Sequence, residues 1–201
     1  MLRSIILLTA SYLIGSIPFG FLVGRLVKKI DIREHGSGNI GATNIVRVLG
    51  KKWGILVFSL DIFKGFLGPL LTAIFIKASG LLIILSAILA VSGHIWPVFL
   101  KFKGGKGVAT SLGAILALGF IFPQLWLALG LALLTWIALF YAFKYVSLAS
   151  LSASLVFFVS TLVMDFPWEI RLLSLLLLIF ILFRHKSNIH KLLQKKENRF
   201  K

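Results

Sequence analysis

The sequence predicts an all-α membrane protein with seven transmembrane helices, and three observations lead to this prediction. Residues of the apolar set AVILMFWYC make up 59% of the 201-residue chain. The mean hydropathy of +1.00 is a value that soluble domains of this size rarely reach. The apolar residues fall into runs long enough to cross a bilayer, and short basic segments separate these runs. We therefore predict a single integral membrane domain over residues 1–201.

The hydrophobic runs set the expected limits of the helices. They cover residues 4–24, 53–76, 81–100, 108–122, 125–143, 148–164 and 169–183. The first run is too long for a signal peptide and lacks a persuasive cleavage site, so it is kept as a span. The fourth and seventh runs are shorter than the roughly 20 residues that a span needs, which leaves six spans as the alternative.

The basic residues predict the orientation of these spans. Four segments hold 18 of the 22 Lys and Arg residues: 25–52, 101–107, 144–147 and 184–201. The other four are Arg3, Lys64, Lys77 and Arg171, of which Lys64 lies within a span. By the positive-inside rule, the basic segments and the C-terminus are cytoplasmic and the N-terminus is outside. The positive charge of these segments suits contact with anionic lipid headgroups. Because spans separate the basic segments from one another, the charge does not form one basic surface of the kind that binds nucleic acid.

The first polar cluster, "GSGNIGATN" at residues 36–44, lies between the first two spans and is followed by Arg47. Glycine lets backbone N–H groups turn toward a ligand, and such nests bind anions. Arginine adds a two-pronged contact to phosphate. The candidate binding residues are Ser37, Gly38, Asn39, Gly41, Thr43, Asn44 and Arg47. The alternative is a flexible connector capped by Ser and Asn.

The second polar cluster, "GHIWPVFLKFKGGKGVAT", covers residues 93–110. Gly104, Gly105 and Gly107 surround Lys106 where the fourth span begins. A helix N-terminus beside a glycine-rich loop and a lysine predicts a phosphate site. It is not a Walker A loop, because Gly107 follows the lysine in place of Ser or Thr. His94 lies on an apolar segment, where a buried structural donor is the more common role.

The third polar cluster, "RHKSNIHKLLQKKENR" at residues 184–199, follows the last span. His185 and Asn188 are three residues apart, so they share a face if the helix continues. Lys195, Lys196 and Lys201 are typical of a basic tail on the membrane surface.

Two smaller features have open roles. Asp61 and Lys64 lie inside the second span at i, i+3 spacing, where they form either a self-neutralised scaffold or part of a site. Ser147 lies at the cytoplasmic end of the sixth span, where a helix cap competes with ligand contact.

Several familiar chemistries are missing from the sequence. There is no cysteine, which excludes thiolate nucleophiles and cysteine-bound metals. None of the four histidines has Asp five residues later, and neither a G-x-S-x-G elbow nor an HExxH helix occurs. The six acidic residues are scattered, so no metal and no cofactor are predicted.

Taken in order, "GSGNIGATN", "GHIWPVFLKFKGGKGVAT" and "HKSNIHKLLQKKEN" resemble the three cytoplasmic motifs of bacterial membrane acyltransferases that use acyl-phosphate to acylate glycerol-3-phosphate. The resemblance extends to "GSIPFGFLVGR", "DIFKG" and "YVSLAS" and covers nearly the whole chain. His185, Asn188 and Glu197 match the third motif. Lys191 stands where the family usually has Arg and Lys195 where it has Gly, and lysine lacks the two-pronged geometry of arginine.

The resemblance implies a reaction in the bacterial inner membrane. Acyl-phosphate and sn-glycerol-3-phosphate give 1-acyl-glycerol-3-phosphate and inorganic phosphate, the first step of phospholipid synthesis. Neither acyl-CoA nor acyl carrier protein is the direct donor. Since an acyl-phosphate is already activated, alignment and charge stabilisation suffice, and we expect direct attack by the glycerol-3-phosphate hydroxyl without an acyl-enzyme.

The expected roles follow the three motifs. Lys106 and the backbone of residues 104–107 would bind one phosphate, and the first motif would hold the other substrate or the oxyanion. His185 and Asn188 would orient or polarise the substrates, with His185 or a substrate phosphate oxygen as the base. The catalytic candidates are Ser37, Lys106, His185 and Asn188. Ser147 is a further binding candidate, in addition to those of the first two clusters. A transporter for phosphorylated solutes is the alternative, but only Asp61 and Lys64 offer it a polar path through the bilayer.

Overall fold

The computed structural model describes residues 1–76 and 80–200, and all regular structure in these residues is helical. Lys77 and Lys201, which figured in the charge argument, lie outside the described residues. The α-helices are α1 Leu2–Ser16, α2 Phe19–Lys28, α3 Ala42–Leu49, α4 Lys51–Phe75, α5 Gly80–Ile95, α6 Val108–Gly119, α7 Leu125–Phe143, α8 Val146–Val163, α9 Trp168–Arg184 and α10 Lys186–Leu193. The all-α class is confirmed.

Five helical segments of the described chain are long and apolar enough to cross a membrane: Leu2–Lys28, Lys51–Phe75, Gly80–Leu100, Leu125–Phe143 and Val146–Val163. The pair α9 and α10, bent by 62°, gives a sixth if it counts as one span. Helix α6 coincides with the fourth predicted span but has only 12 residues. The chain is therefore a multi-span helical membrane protein, and the number seven stays a prediction.

The first predicted span, 4–24, lies within the candidate span Leu2–Lys28, which two helices form. Helix α1 ends at Ser16 and α2 begins at Phe19, with Pro18 between them. Proline has no N–H to donate and restricts the residue before it, so a helix commonly ends there. The break matters for the site, since it leaves the carbonyl of Ile17 available to a side chain of α4.

The chain divides into two compact units, residues 1–118 and 119–201. In the first unit, small residues let the helices approach closely. A Cβ at Gly15 would collide with the backbone of Ala90, and one at Gly113 with the backbone of Ile62. Helices α1 and α6 therefore pack tightly on α5 and α4, as membrane helices commonly do at small residues.

One buried apolar cluster lies beneath both glycine-rich loops of the first unit. Its members are Val23, Ile32, Ile40, Ile45, Val57 and Leu100. Ile40 belongs to the loop that precedes α3, and Leu100 belongs to the loop that precedes α6. The two loops therefore lie at the same end of this unit, around the first half of α4.

The second unit contains α7 to α10. Helix α8 packs against α7 and α9, and α10 contacts α8 and α9. Buried hydroxyls support the α8–α9 contact, where Thr161 and Ser174 are hydrogen-bonded at 2.7 Å. The indole N–H of Trp136 in α7 donates to Ser150 Oγ in α8 at 3.2 Å. These bonds satisfy polar groups that apolar surroundings would otherwise penalise.

Candidate active site

Asn44, in the first turn of α3, organises the first loop. Its side chain is 1% exposed. Its Oδ1 accepts from the backbone N–H of Ser37 at 2.7 Å, and its Nδ2 donates to the carbonyls of His35 and Asn39 at 3.0 and 2.9 Å. The carbonyl of Ile32 lies 3.3 Å from the same nitrogen. Because both ends of the amide have backbone partners, Asn44 shapes the loop, and its expected contact with phosphate stays a prediction.

The glycines of the first loop allow its turns. Gly36 and Gly38 have φ of 61° and 71°, in the left-handed region that glycine adopts without penalty. Asn39 Oδ1 accepts from the N–H of Gly41 at 2.8 Å, a local side-chain turn. Of the remaining candidates, Ser37, Gly38 and Arg47 are exposed, whereas Asn39, Gly41 and Thr43 are half-buried. The loop thus presents one hydroxyl, one guanidinium and several amides at its surface.

Asp31 anchors the outer edge of the same loop. Its carboxylate accepts from Arg33 Nη2 at 2.7 Å and from the backbone N–H of Arg33 at 3.0 Å. These hydrogen bonds lower the pKa of Asp31 from 3.8 to about 2, with the charges of Arg33 and Arg25 adding to the effect. The carboxylate is ionised at neutral pH, so the edge of the loop is fixed by a charged pair.

The second loop folds back onto the end of α5. The N–H of Gly104 donates to the Ile95 carbonyl at 3.2 Å, and the N–H of Gly105 donates to the His94 carbonyl at 3.1 Å. A Cβ at Gly104 would collide with both carbonyls, and one at Gly105 would collide with His94 Nε2. These two glycines therefore give clearance, and their N–H groups close the loop; that they bind an anion stays a prediction.

Lys106 and Gly107 form the part of the second loop that leads into α6. Gly107 has φ of 81° and lies on the side chain of Ile95. Lys106 is half-buried. Helix α6 begins at Val108, and the first N–H groups of a helix have no acceptor within it. The lysine and this helix start are the anion-binding elements that the geometry of the second loop offers.

A buried charged cluster lies behind the second loop. Lys64 Nζ is 2.9 Å from Asp61 Oδ1, and His94 Nδ1 is 3.5 Å from the same oxygen. Asp61, Lys64 and His94 are 2%, 1% and 4% exposed. Asp61 and Lys64 therefore form an ion pair, as their i, i+3 spacing allows, and His94 is buried as expected.

In the second unit, the helix does not continue through the third motif. Helix α9 ends and α10 begins at His185, with a bend of 62°. The shared-face argument for His185 and Asn188 is therefore wrong. His185 is buried, and its Nδ1 lies 2.8 Å from the carbonyl of Ile181. Because a carbonyl only accepts, Nδ1 carries a proton, and in the neutral ring the lone pair belongs to Nε2.

Glu197 connects two of the second unit's candidates, a connection that the sequence did not indicate. Its Oε1 accepts from Ser147 Oγ at 3.1 Å and from Asn188 Nδ2 at 2.6 Å. Ser147 therefore faces the C-terminal tail and does not cap α8, whose N-cap is Tyr145. The backbone N–H of Phe200 donates to the Lys144 carbonyl at 2.8 Å, so the end of the tail packs on the α7–α8 corner. The available signals were a lone acid in a basic tail and the match of Glu197 to the third motif, and neither of them named its partners.

Within residues 1–76 and 80–200, no three His, Asp or Glu side chains come together in a way that could hold a metal ion. The acidic residues of the site regions are each engaged with cations or amides, as described for Asp31, Asp61 and Glu197.

A family model described as glycerol-3-phosphate acyltransferase matches residues 5–195, which is nearly the whole chain. The chain belongs to the glycerol-3-phosphate acyltransferase family. This confirms the family that the three polar motifs indicated, and it identifies the protein as a membrane-embedded enzyme of that class. The transporter alternative is not favoured.

Curated relatives of this acyltransferase carry the same description. The glycerol-3-phosphate acyltransferase of Aquifex aeolicus (strain VF5) is 39% identical over 199 residues, which cover 99% of this chain and 100% of the relative. That of Staphylococcus aureus (strain JH9) is 43% identical, with 98% of each chain covered. The similarity therefore extends across both compact units.

Two solved structures resemble this acyltransferase closely. Both are crystal structures of PlsY (YgiH), an integral membrane glycerol 3-phosphate acyltransferase. Its glycerol 3-phosphate form has a TM-score of 0.90 at 39% identity, covering 99% of this chain and 96% of the other. Its lysphosphatidic acid form has a TM-score of 0.87 at 38% identity, with the same coverage.

Proposed function

We propose that this acyltransferase transfers an acyl group from acyl-phosphate to the 1-position of sn-glycerol-3-phosphate. The hydroxyl oxygen attacks the acyl carbon, the bond from that carbon to the phosphate oxygen breaks, and the hydroxyl proton passes to a base. The products are 1-acyl-glycerol-3-phosphate (lysophosphatidic acid) and inorganic phosphate. No acyl-enzyme forms, and neither acyl-CoA nor acyl carrier protein is the direct donor.

The observation that carries this proposal is the pair of glycine-rich loops at one end of the first unit. One loop leads to Arg47 and the other holds Lys106, so each offers a cation together with backbone or hydroxyl donors. Two such loops suit a reaction between two phosphorylated substrates. The structural relative described with glycerol 3-phosphate and with lysphosphatidic acid supports the acceptor and the product of this reaction.

In this proposal the first loop binds one substrate through Ser37, Gly38, Asn39, Gly41, Thr43 and Arg47. Asn44 contributes by holding the loop in shape. Lys106 and the start of α6 bind a phosphate, while Gly104, Gly105 and Gly107 allow the approach of the loop to α5. Stabilisation of developing charge by preorganised donors is the main catalytic effect that these residues supply.

His185 and Asn188 are the proposed catalytic groups of the second unit. Because the proton of the neutral His185 ring is on Nδ1, the lone pair on Nε2 can accept a proton, as a general base requires. A substrate phosphate oxygen is the alternative base. Asn188 and Ser147 are held by Glu197, so we assign them to orienting the substrates.

For the membrane, we propose a single domain of seven spans in the bacterial inner membrane, with the N-terminus outside. The polar loops and the C-terminus would then be cytoplasmic. The bias of 18 basic residues out of 22 toward the loop-bearing segments supports this orientation.

The test is a donor comparison with the purified protein in detergent. Palmitoyl-phosphate with glycerol-3-phosphate should release inorganic phosphate, and the release should depend on glycerol-3-phosphate. Palmitoyl-CoA and palmitoyl-acyl carrier protein serve as competing donors. Turnover with either of these but not with palmitoyl-phosphate would overturn the proposed donor while leaving the family assignment intact.

Two further experiments test the chemical path. If His185 is the base, His185→Ala should reduce kcat with both substrates saturating, by a factor on the order of 10²–10⁴. Near-full turnover would assign the proton to the substrate phosphate. Mass spectrometry after mixing with palmitoyl-phosphate alone should detect no acylated Ser37 or Thr43, because an acyl group on either residue would contradict direct transfer.

A further inference from the structure

We infer that the buried cluster of Asp61, Lys64 and His94 is a positioning centre that holds both glycine-rich loops in place. This inference rests on the proposed function of those loops as phosphate-binding elements. The three residues do not touch substrate in this scheme. They act on the reaction through the two loops, and the argument depends on contacts within the first unit alone.

Lys64 reaches the first loop through the break between α1 and α2. Its Nζ donates to the carbonyl of Ile17 at 2.7 Å and lies 5.5 Å from the centre of the Phe19 ring. The break leaves backbone groups without helical partners, which a membrane protein tolerates only where something else satisfies them. Lys64 therefore fixes the point from which α2 departs.

Helix α2 in turn carries the first loop. Gly20 lies so close to the carbonyl of Ile40 that a Cβ would collide with it. Ile40 is 3% exposed and precedes Gly41, the N-cap of α3. A shift of α2 at its first turn would move Ile40, and the loop that Asn44 gathers would move with it.

Asp61 and His94 support the second loop. Asp61 Oδ1 lies 3.5 Å from Nδ1 of His94, so the carboxylate faces one side of the ring. The other ring nitrogen, Nε2, occupies the space that a side chain at Gly105 would fill. The His94 carbonyl accepts from the N–H of Gly105 at 3.1 Å. His94 therefore supports the residue before Lys106 with both its ring and its backbone.

Helix α4 also sets the position of α6. Gly65 follows Lys64, and a Cβ there would collide with the backbone of Thr110 in the first turn of α6. The charged pair and the start of α6 are therefore neighbours along the same surface of α4. The packing of α6 on this part of α4 therefore helps to fix the position of both proposed anion-binding elements of the second loop, Lys106 and the start of α6.

A purely structural role of the Asp61–Lys64 pair does not explain why these two positions carry charged side chains. Buried ion pairs are frequently replaceable by apolar residues of similar volume without loss of stability. Charges inside a span are costly, and by default they mark function. In this protein the pair contacts groups on two sides, the Ile17 carbonyl and the His94 ring, and the contact of Lys64 with Ile17 is a hydrogen bond that an apolar side chain cannot make.

The principal test is the Asp61→Asn/Lys64→Met double variant, which removes both charges and leaves neither one unpaired. Thr72→Val is the matched control, because Thr72 is equally buried in the same helix and bonds only within it, to Gly68. We expect the double variant to keep a thermal midpoint near that of the control. Its apparent KM for glycerol-3-phosphate or palmitoyl-phosphate should rise, or its kcat fall, by tenfold or more, on the order of what misplacement of binding groups costs.

Hydrogen exchange gives a readout that does not depend on turnover. In the double variant, peptides covering residues 36–44 and 101–108 should both exchange about tenfold faster than in the control. Peptides from α7 should be unchanged. If both loops keep wild-type exchange and both KM values stay within about twofold of the control, the positioning role is wrong and the pair is only scaffold.

Variants of His94 separate the two contact paths, the one from Lys64 to the first loop and the one from Asp61 and His94 to the second. They remain informative if the double variant does not fold. His94→Leu should loosen residues 101–108 and leave residues 36–44 unchanged, because the ring and the carbonyl of His94 contact Gly105 in the second loop, whereas Lys64 contacts Ile17 at the start of the path to the first loop. His94→Asn should recover most of the loss, since its amide nitrogen can replace Nδ1 toward Asp61. Equal loosening of both loops, or no recovery by His94→Asn, would contradict the proposal. If the wild-type protein rejects palmitoyl-phosphate, the proposed donor fails, while the exchange experiment still decides the positioning role.

Discussion

In the loop at residues 36–44, Gly36 and Gly38 adopt left-handed backbone angles, and a Cβ at Gly38 would meet one atom, the carbonyl oxygen of Arg33 at 3.1 Å. In the loop at residues 101–107, Gly104 and Gly105 have ordinary angles, but any side chain would collide with the end of α5. Gly38 is therefore needed mainly for its backbone angle, and Gly104 and Gly105 are needed for clearance. Gly36 combines a left-handed angle with close approach to Asn44, and Gly107 also has a left-handed angle. Substitution of glycine is therefore expected to have different effects in the two loops.

The two loops also differ in what holds them. A single side-chain amide, that of Asn44, gathers the first loop through bonds to the backbone. The second loop is closed by backbone pairing onto α5 and supported by the buried ring of His94. One substitution of Asn44 therefore removes what holds the first loop. No single side chain can be removed to break the backbone pairing of the second loop, so that loop is disturbed by adding a side chain that collides with α5.

The largest expected effect comes from Asn44→Ala. The substitution leaves the Ser37 N–H and several carbonyls of the loop without their partner, and each buried group left unsatisfied costs about 1–3 kcal/mol. We expect a loss of stability of about 3–5 kcal/mol and a fall in kcat/KM on the order of a hundredfold. Thermal unfolding in detergent and steady-state phosphate release measure the two quantities.

Asn39→Ala is the matched control for Asn44→Ala, since it removes a side-chain bond to one amide, that of Gly41. Its effect on stability should be about 1 kcal/mol. Equal effects of the two substitutions would show that Asn44 is one contact among several and not the organiser of the first loop.

Gly104→Ala tests the second loop by steric pressure. The new Cβ would meet the carbonyl oxygens of His94 and Ile95, which are backbone atoms and cannot move aside cheaply. We expect a cost of about 2–3 kcal/mol, as for overpacking in a tight interior. Gly105→Ala should cost less, because its neighbour is a ring nitrogen that can rotate away. Gly130→Ala in α7, where a Cβ meets nothing within 4 Å, is the neutral control. A Gly105→Ala defect larger than that of Gly104→Ala would contradict the clearance argument.

Gly38 provides the corresponding test of conformation in the first loop. Gly38→Ala should cost roughly 1–2 kcal/mol, the penalty of a left-handed angle for an ordinary residue. Gly38→Asn should recover much of that loss, because asparagine tolerates this region. Hydrogen exchange of residues 36–44 measures the local effect apart from catalysis. If Asn is no better than Ala at this position, space and not backbone angle is limiting.

Much of the fold was accessible from hydrophobic runs. The predicted span 125–143 coincides with α7, and the span 169–183 differs from α9 by one residue at each end. The break at Pro18 was missed although the proline itself marks it, because the limits of the span were set by the length of the apolar run, which continues on both sides of Pro18. The bend at His185 was missed for a similar reason, since its polar neighbours fit a continuing helix equally well.

The site was predictable as a set of motifs but not as a set of contacts. Glycine, cation and helix start were recognised locally, since each signal lies within a few residues. The organising role of Asn44 depends on bonds to four different positions of a folded loop, and Glu197 bonds to a serine 50 residues away. Composition marks where polar groups gather, whereas only the fold decides which of them bond to one another and which stay exposed.

The smallest expected effect concerns Asp31, which holds the outer edge of the first loop and has no counterpart in the second. Its folded pKa of about 2 lies below the ordinary value of 3.8, so the ionised form stabilises the fold at pH values above 3.8. This stabilisation is lost as the pH falls from 3.8 toward 2. Arg33 is 36% exposed, so solvent screening limits the contribution to about 1 kcal/mol or less.

Asp31→Asn should therefore lower the thermal midpoint slightly at pH 7, and the gap between variant and wild type should narrow at pH 3. Glu34→Gln is the control, because Glu34 is an exposed acid in the same turn. Measurement of both variants at the two pH values separates the Asp31–Arg33 pair from the general effect of removing a negative charge. A gap that stays constant or widens in acid would mean that the carboxylate does not stabilise the edge of the loop through its charge, and the first loop would then depend on Asn44 alone.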